Sequence, residues 1–263
     1  MGIQISHVPD TQILQLVDQL DSVGFASIPN YVHADDLARM RQFVGAAMKK
    51  SGNEYIGFGG PEEVAGSGLE DFYVSPAFSG LIKRVYEQGT GRRAPEQELY
   101  HVLRCLCGKT GQKHAWMFHY DSYVVTALIP IQIPTDGQTG DLLMFPNTRS
   151  IRPAYLFNAL DKVLLDNALT QKLLRASVEK RRLKPVRIRM QPGNLYLFWG
   201  YRTIHTNEPC DVDQVRATAL FHFANPHRKP GTRSEHISLP PKASVPTGSG
   251  GDSPRTAAMR KML

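Results

Sequence analysis

Apolar positions along the chain recur at helical spacing before residue 90 and at strand spacing after residue 99. In residues 10–23, Ile13, Leu14, Leu16, Val17, Leu20 and Val23 follow one another at one face's intervals, which predicts an amphipathic helix. Asp10 is its expected N-cap and Gly24 its stop. A short extended piece over 25–28 is broken by Pro29. A second helix is expected over 35–49, with Leu37, Met40, Phe43, Val44 and Ala47 turned inward, and a short one over 78–88 with Phe78, Leu81, Ile82 and Val85 on one side. Residues 51–79 are Gly-rich and aperiodic and read as a loop, a candidate flap over a site.

From Leu99 onward β-branched and aromatic residues dominate, in runs bounded by Gly, Pro and Asn. Strands are expected over 100–107, 119–134, 141–145, 186–190, 194–199 and 217–223. A helical insertion over 155–181 separates the third from the fourth, with apolar positions at Leu156, Leu160, Val163, Leu164, Leu169, Leu173 and Leu174. This order of elements predicts a mainly β protein with flanking helices, a jelly-roll or cupin-like double sheet. Residues 1–238 are expected to form one domain, with a helical part at 1–98 and a jelly-roll core at 99–226. Residues 239–263, rich in Pro, Gly, Ser and Lys/Arg, read as a disordered tail.

Composition narrows the class. With 263 residues, 41% of them hydrophobic and 21% charged, the chain can bury one sizeable core. No run reaches the length of a membrane span, and the N-terminus lacks the basic and apolar regions of a secretory signal, so the expected setting is cytoplasmic, without a membrane partner. Three cysteines, Cys105, Cys107 and Cys210, make no disulfide framework and read as reduced thiols. The net charge of +7 is concentrated between Lys172 and Arg189 and after Arg228. It reads as a solvated helix face plus a tail; no nucleic-acid module accompanies it, so nucleic acid is not the expected partner.

Three short motifs carry the chemistry. Phe118-His119-Tyr120-Asp121 opens a β run, and alternation turns positions 119 and 121 to one face. A neutral imidazole and a carboxylate there suit a divalent metal, although His-x-Asp alone is a weak signal. The turn Pro192-Gly193-Asn194 leads through a β segment to His205, a third candidate ligand. Two histidines and one carboxylate leave three positions of an octahedral iron open, whereas a structural zinc site usually has a fourth protein ligand. Eleven residues on, Arg216-Ala217-Thr218 offers a guanidinium and a hydroxyl on one face, suited to gripping a carboxylate.

His119-x-Asp121, His205 and Arg216-x-Thr218, in that order, resemble the Fe(II)/2-oxoglutarate-dependent dioxygenase superfamily. The Pro192-Gly193-Asn194 turn and the opening segment from Gly24 to Val32 look like its phytanoyl-CoA hydroxylase-like branch. The resemblance covers roughly residues 12–226. It implies a double-stranded β-helix holding Fe(II) on His119, Asp121 and His205, with 2-oxoglutarate as co-substrate anchored by Arg216 and Thr218, and O2 as oxidant. It also implies oxidation of a C–H bond of a small organic molecule, by hydroxylation, desaturation or cyclisation, with release of succinate and CO2. Because Asp121 is present, a halogenase is not expected.

Further pocket candidates are Arg104 and Thr126 toward the co-substrate, Tyr100 on the face of Arg104, and Trp199, Tyr201 and Arg202, which precede His205, toward the substrate. His222 reads as a hydrogen-bonded core histidine. The competing readings are an oxygenase of nucleic acid or protein, a non-catalytic cupin-like metal-binding barrel, and a zinc hydrolase on the same three ligands.

Overall fold

The computed structural model describes residues 3, 5, 7–152 and 155–227. The expected tail at 239–263, and the basic residues from Arg228 on, lie outside the described residues. Among the described residues no helix is long and apolar enough to cross a membrane.

The helical part opens with α1 (Asp10–Ser22), which buries Ile13, Leu16, Val17 and Leu20. Asp10 is its first residue rather than its cap; Pro9 stands at the N-cap and its carbonyl accepts from Gln12 and Ile13. After β1 (Ala26–Ile28) comes α2 (Ala34–Lys50), with acidic Asp35 and Asp36 in its first turn and Lys49 and Lys50 in its last, both favourable to the helix dipole.

The expected loop at 51–79 is instead ordered secondary structure. It contains β2 (Ile56–Gly59) and α3 (Leu69–Val74), whose Leu69 and Phe72 are fully buried. The periodicity is hidden because β2 is an edge strand containing two glycines and α3 spans less than two turns. Both take their shape from neighbours: β2 from pairing with β3 (Tyr100–Leu106), and α3 from Phe72 packing on Phe78 of α4 (Pro76–Thr90).

The strand region continues through a short α5 (Gly108–Gln112), β4 (Val125–Gln132) and β5 (Leu142–Phe145). The insertion is two helices, α6 (Tyr155–Asp166) and α7 (Ala168–Glu179), broken at Asn167, whose side chain caps α7 by accepting from Leu169 N. Its inward residues include Leu165 and Val178, whereas Leu156, Leu160, Val163, Leu164, Leu169 and Leu173 are exposed. Then follow β6 (Val186–Ile188), β7 (Leu195–Phe198), β8 (Ile204–Asn207) and β9 (Arg216–Phe223).

The strands form two antiparallel sheets, a six-stranded one in the order β1-β7-β4-β9-β3-β2 and a three-stranded one in the order β6-β5-β8. One face of the larger sheet packs on the helices: Ala127, Leu197 and Phe221 belong to the same buried cluster as Leu20, Phe78 and Val85. Register places Arg104 opposite Thr218, Tyr100 opposite His222, Thr126 opposite both His222 and Phe198, and Leu106 opposite Arg216. Residues opposite one another in an antiparallel pair share a face. Arg104, Thr126, Arg216, Thr218 and His222 therefore gather on the side of the sheet away from the helices.

Candidate metal centre and anion cradle

His119 and Asp121 lie not within a regular strand but on the irregular segment before β4. That segment is zipped onto β8 from one side: His119 and His205 exchange backbone hydrogen bonds of 3.1 and 3.0 Å, and Trp116 N donates to Asn207 O. Their imidazole rings are thereby brought to 4.3 Å between centroids. Asp121 is anchored separately, its N–H donating to Gly200 O. The side chains of His119, Asp121 and His205 converge, one potential ligand atom from each lying within 4.8 Å of the others. Nε2 of each histidine is 3.6 Å from Asp121 Oδ1.

Each ligand is oriented by a partner behind it. Nδ1 of His119 bonds Met117 O at 2.9 Å, and Nδ1 of His205 bonds Thr203 O at 3.2 Å. A carbonyl only accepts, so both imidazoles carry their proton on Nδ1 and leave Nε2 free as a metal ligand. Asp121 Oδ2 accepts from Thr126 Oγ1 at 2.5 Å, and Thr126 in turn contacts His222 Nδ1 at 3.1 Å. Burial alone would raise the Asp121 carboxyl, but His205, His222, His119 and the Thr126 hydroxyl outweigh it and hold it below the usual carboxylate range. Burial, reinforced by His205, lowers His119, and burial lowers His222. Asp121 is thus kept as a carboxylate and His119 as a neutral imidazole, the protonation states a metal requires.

Arg216 is buried on β9. Its Nε donates to Gly140 O at 2.8 Å and its Nη1 lies 3.5 Å from Thr218 Oγ1. Arg104 of β3 is paired in register with Thr218. Burial and the neighbouring Arg104 lower the Arg216 guanidinium to about 10. Among the described residues neither guanidinium has a carboxylate within 4.0 Å. Two neighbouring cations, one of them buried, thus stand without a counter-ion among the described residues.

The residues singled out in the sequence divide into three groups. His119, Asp121 and His205 come together, and Arg216, Thr218 and Arg104 share one face. Thr126 sits beside the centre, but its hydroxyl is engaged by Asp121 and His222 rather than turned toward a ligand. Tyr100 lies on the same face, stacked on Tyr123 at 5.8 Å and 5° between ring planes, and next to His222.

The remaining three candidates are not brought to the centre. Trp199 is one residue beyond Phe198, and alternation turns it the other way. Its indole fills the space over Gly89 of α4 and donates to Asp21, while Phe198 meets the His205 ring edge-on at 4.9 Å. Tyr201 stacks under Arg149 and bonds His227, and Arg202 pairs with Asp21. Closeness in sequence to His205 brought these three to notice; strand alternation and the turn at Gly200 direct them elsewhere.

Two glycines escaped the sequence reading. A Cβ at Gly200 would fall 2.5 Å from Asp121 Oδ2, and one at Gly140, where φ is +71°, would fall 2.6 Å from Arg216 Cδ. At each, a Cβ would meet a neighbouring side chain closer than Cβ atoms normally approach, so that the side chain would have to shift. Neither lies in a motif, so no sequence signal marks them.

No family model and no curated protein matches the chain. Solved structures do. A prolyl hydroxylase from Trichoplax adhaerens, in complex with a hypoxia inducible factor oxygen degradation domain peptide fragment, aligns with TM-score 0.56 and 15% identity over 82% of this chain and 90% of its own. A Pseudomonas putida prolyl-4-hydroxylase aligns with TM-score 0.51 and 12% identity, covering 86% and 98%. A Phytophthora capsici prolyl 4-hydroxylase aligns with TM-score 0.52 and 12% identity, covering 85% and 68%. At such identities the likeness is one of fold: the chain is a double-stranded β-helix with flanking helices.

Proposed function

We propose that the protein is an Fe(II)- and 2-oxoglutarate-dependent oxygenase that oxidises a C–H bond of a small organic substrate and releases succinate and CO2. One observation carries this reading: an open His–Asp–His centre and a pair of guanidiniums with no carboxylate partner among the described residues occur in one fold, the pair on a single sheet face. The donor set fits iron. Two imidazole nitrogens and one carboxylate oxygen leave three positions of an octahedron for a chelating co-substrate and O2. When bound, Fe(II) and 2-oxoglutarate supply the chemistry that couples O2 reduction and oxidative decarboxylation to substrate oxidation.

The chain's own part is orientation. Met117 O and Thr203 O fix the imidazole tautomers, and Thr126 and His222 steady the Asp121 carboxylate. Arg216 is the anchor for the distal carboxylate of the co-substrate, with Thr218 and Arg104 beside it; a guanidinium grips a carboxylate with two parallel hydrogen bonds. Within the superfamily we favour the phytanoyl-CoA hydroxylase-like branch. The two segments that suggest it are joined in space, since Asn30 N donates to Asn194 Oδ1 and Val32 N to Gly193 O. A cytoplasmic setting accords with three buried, unbridged cysteines. A second reading, a peptide or protein substrate, draws on the peptide bound in the Trichoplax structure.

The test is an anaerobic titration of metal-free protein with Fe(II) and 2-oxoglutarate, following the visible charge-transfer band. A saturable band that His205→Ala removes supports the reading. Bound iron without a band refutes it and leaves a metal-binding barrel. Small acids and proline-containing peptides, screened side by side for substrate-dependent succinate release, separate the two substrate classes.

A further inference from the structure

The segment carrying His119 and Asp121 has two backbone edges. One edge is closed by β8. The other, at Phe118, points away from β8, where a strand would normally leave N–H and C=O groups unpaired. At Phe118 a single side chain pairs both groups. Gln171, in the first turn of α7, accepts from Phe118 N through Oε1 at 2.9 Å and donates from Nε2 to Phe118 O at 2.7 Å. Its second amide proton goes to Leu165 O, also at 2.7 Å, at the end of α6. The carboxamide thus reproduces the reciprocal pairing a neighbouring strand would make, and only one amide orientation satisfies all three bonds.

Two further contacts act on the same segment from the same insertion and the loop before it. The Arg149 guanidinium lies 3.7 Å over the Tyr120 ring and is itself bonded to Asp161 and Asn158 of α6. Lys162 Nζ donates to Ser122 Oγ at 2.7 Å. Residues 118, 120 and 122 are therefore held from outside by the insertion and its approach, while the alternate residues 119 and 121 turn inward to the metal centre.

We propose that Gln171 is a positioning residue for the metal ligands: by closing the free edge of the ligand segment at Phe118, it lets α7 set where His119 and Asp121 point. The inference rests on the proposed metal centre and goes beyond it, because it makes the insertion part of the site's framework rather than a surface addition. Coupling of this kind is reciprocal, so metal binding also protects α7.

The test uses Gln171→Met, which keeps the length and apolar stem but removes every hydrogen bond, with Gln171→Glu as the second variant. Glu can still accept from Phe118 N but cannot donate to the two carbonyls. Leu174→Ala, on the same helix and packed beside Phe118 and Val178, is the control for loosening without loss of the amide. Affinity is read by Co(II) absorption titration of metal-free protein, and protection of α7 by hydrogen exchange with and without Co(II). Both Gln171 variants should bind Co(II) about 10- to 100-fold more weakly, the range for loss of an outer-shell partner. They should also lose the metal-dependent protection of α7, whereas Leu174→Ala keeps both. Wild-type affinity in Gln171→Met overturns the proposal, as does equal weakening in Leu174→Ala at a matched loss of melting temperature. Failure of the unaltered protein to bind Co(II) refutes the metal centre itself, a distinct result.

Discussion

Gly200 offers a direct measure of how tightly the centre is built. Its φ is outside the left-handed region, so Gly200→Ala adds no backbone strain and acts only through the new methyl group. That methyl would stand 2.5 Å from Asp121 Oδ2 and 2.9 Å from Asp121 Cβ, with Thr126 Oγ1 closer still. Ordinary contact needs about 3.5 Å, so the carboxylate must retreat by about 1 Å. Metal–ligand distances tolerate about 0.2 Å, and the displaced carboxylate therefore no longer completes the ligand set. The expected result is a fall in Co(II) or Fe(II) affinity of about 100-fold, accompanied by about 1–3 kcal/mol of overpacking. Calorimetric metal titration measures the first and urea unfolding the second. Affinity within twofold of the unaltered protein, in a variant that remains folded, would show that Asp121 is not a ligand held against residue 200.

Three other expectations are more briefly stated. Arg216→Ala should raise the KM for 2-oxoglutarate by about 30-fold or more while leaving Fe(II) affinity nearly unchanged, because truncating one partner of a buried charge pair costs about 2–5 kcal/mol; steady-state succinate release checks it. Adding Mn(II) at about 100 times its Kd should stabilise the fold by about 2.7 kcal/mol, seen as a rise in melting temperature of about 5–10 °C that EDTA reverses. His101, buried on the helix side of β3 against Phe221, has its imidazole pushed down from 6.5 to about 4 by burial. The folded state resists a proton that the unfolded chain accepts. Stability is therefore complete above pH 6.5 and is lost as the pH falls toward 4, with about 2 kcal/mol gone at pH 5. Urea unfolding at pH 7.5 and pH 5 should show that difference against His101→Leu, and equal pH dependence in both proteins would contradict it.

What the sequence determined by itself is what local chemistry encodes. Helical spacing in 10–23 and 35–49 placed α1 and α2 within a residue or two, because an amphipathic stripe needs only its own period. Alternation within β9 put Arg216, Thr218 and His222 on one face; that Arg104 and Thr126 join them was decided by the register of β3 and β4 with β9. The convergence of His119, Asp121 and His205 was foreshadowed by His-x-Asp, a later histidine and Arg-x-Thr in that order along the chain. The tertiary structure decided the rest, for physical reasons that a linear pattern cannot hold. An edge strand with two glycines, β2, exists only through pairing with β3. Thr126 meets both Asp121 and His222 because register sets it opposite His222. Trp199, Tyr201 and Arg202 adjoin His205 in sequence yet leave the site, because Gly200 turns the chain there. Gly140, Gly200 and Gln171 have no local signature at all. Their roles arise from contacts across 53 to 79 positions of chain, to Asp121 from Gly200, to Phe118 from Gln171 and to Arg216 from Gly140, and such distances close only when the barrel and its insertion are both folded.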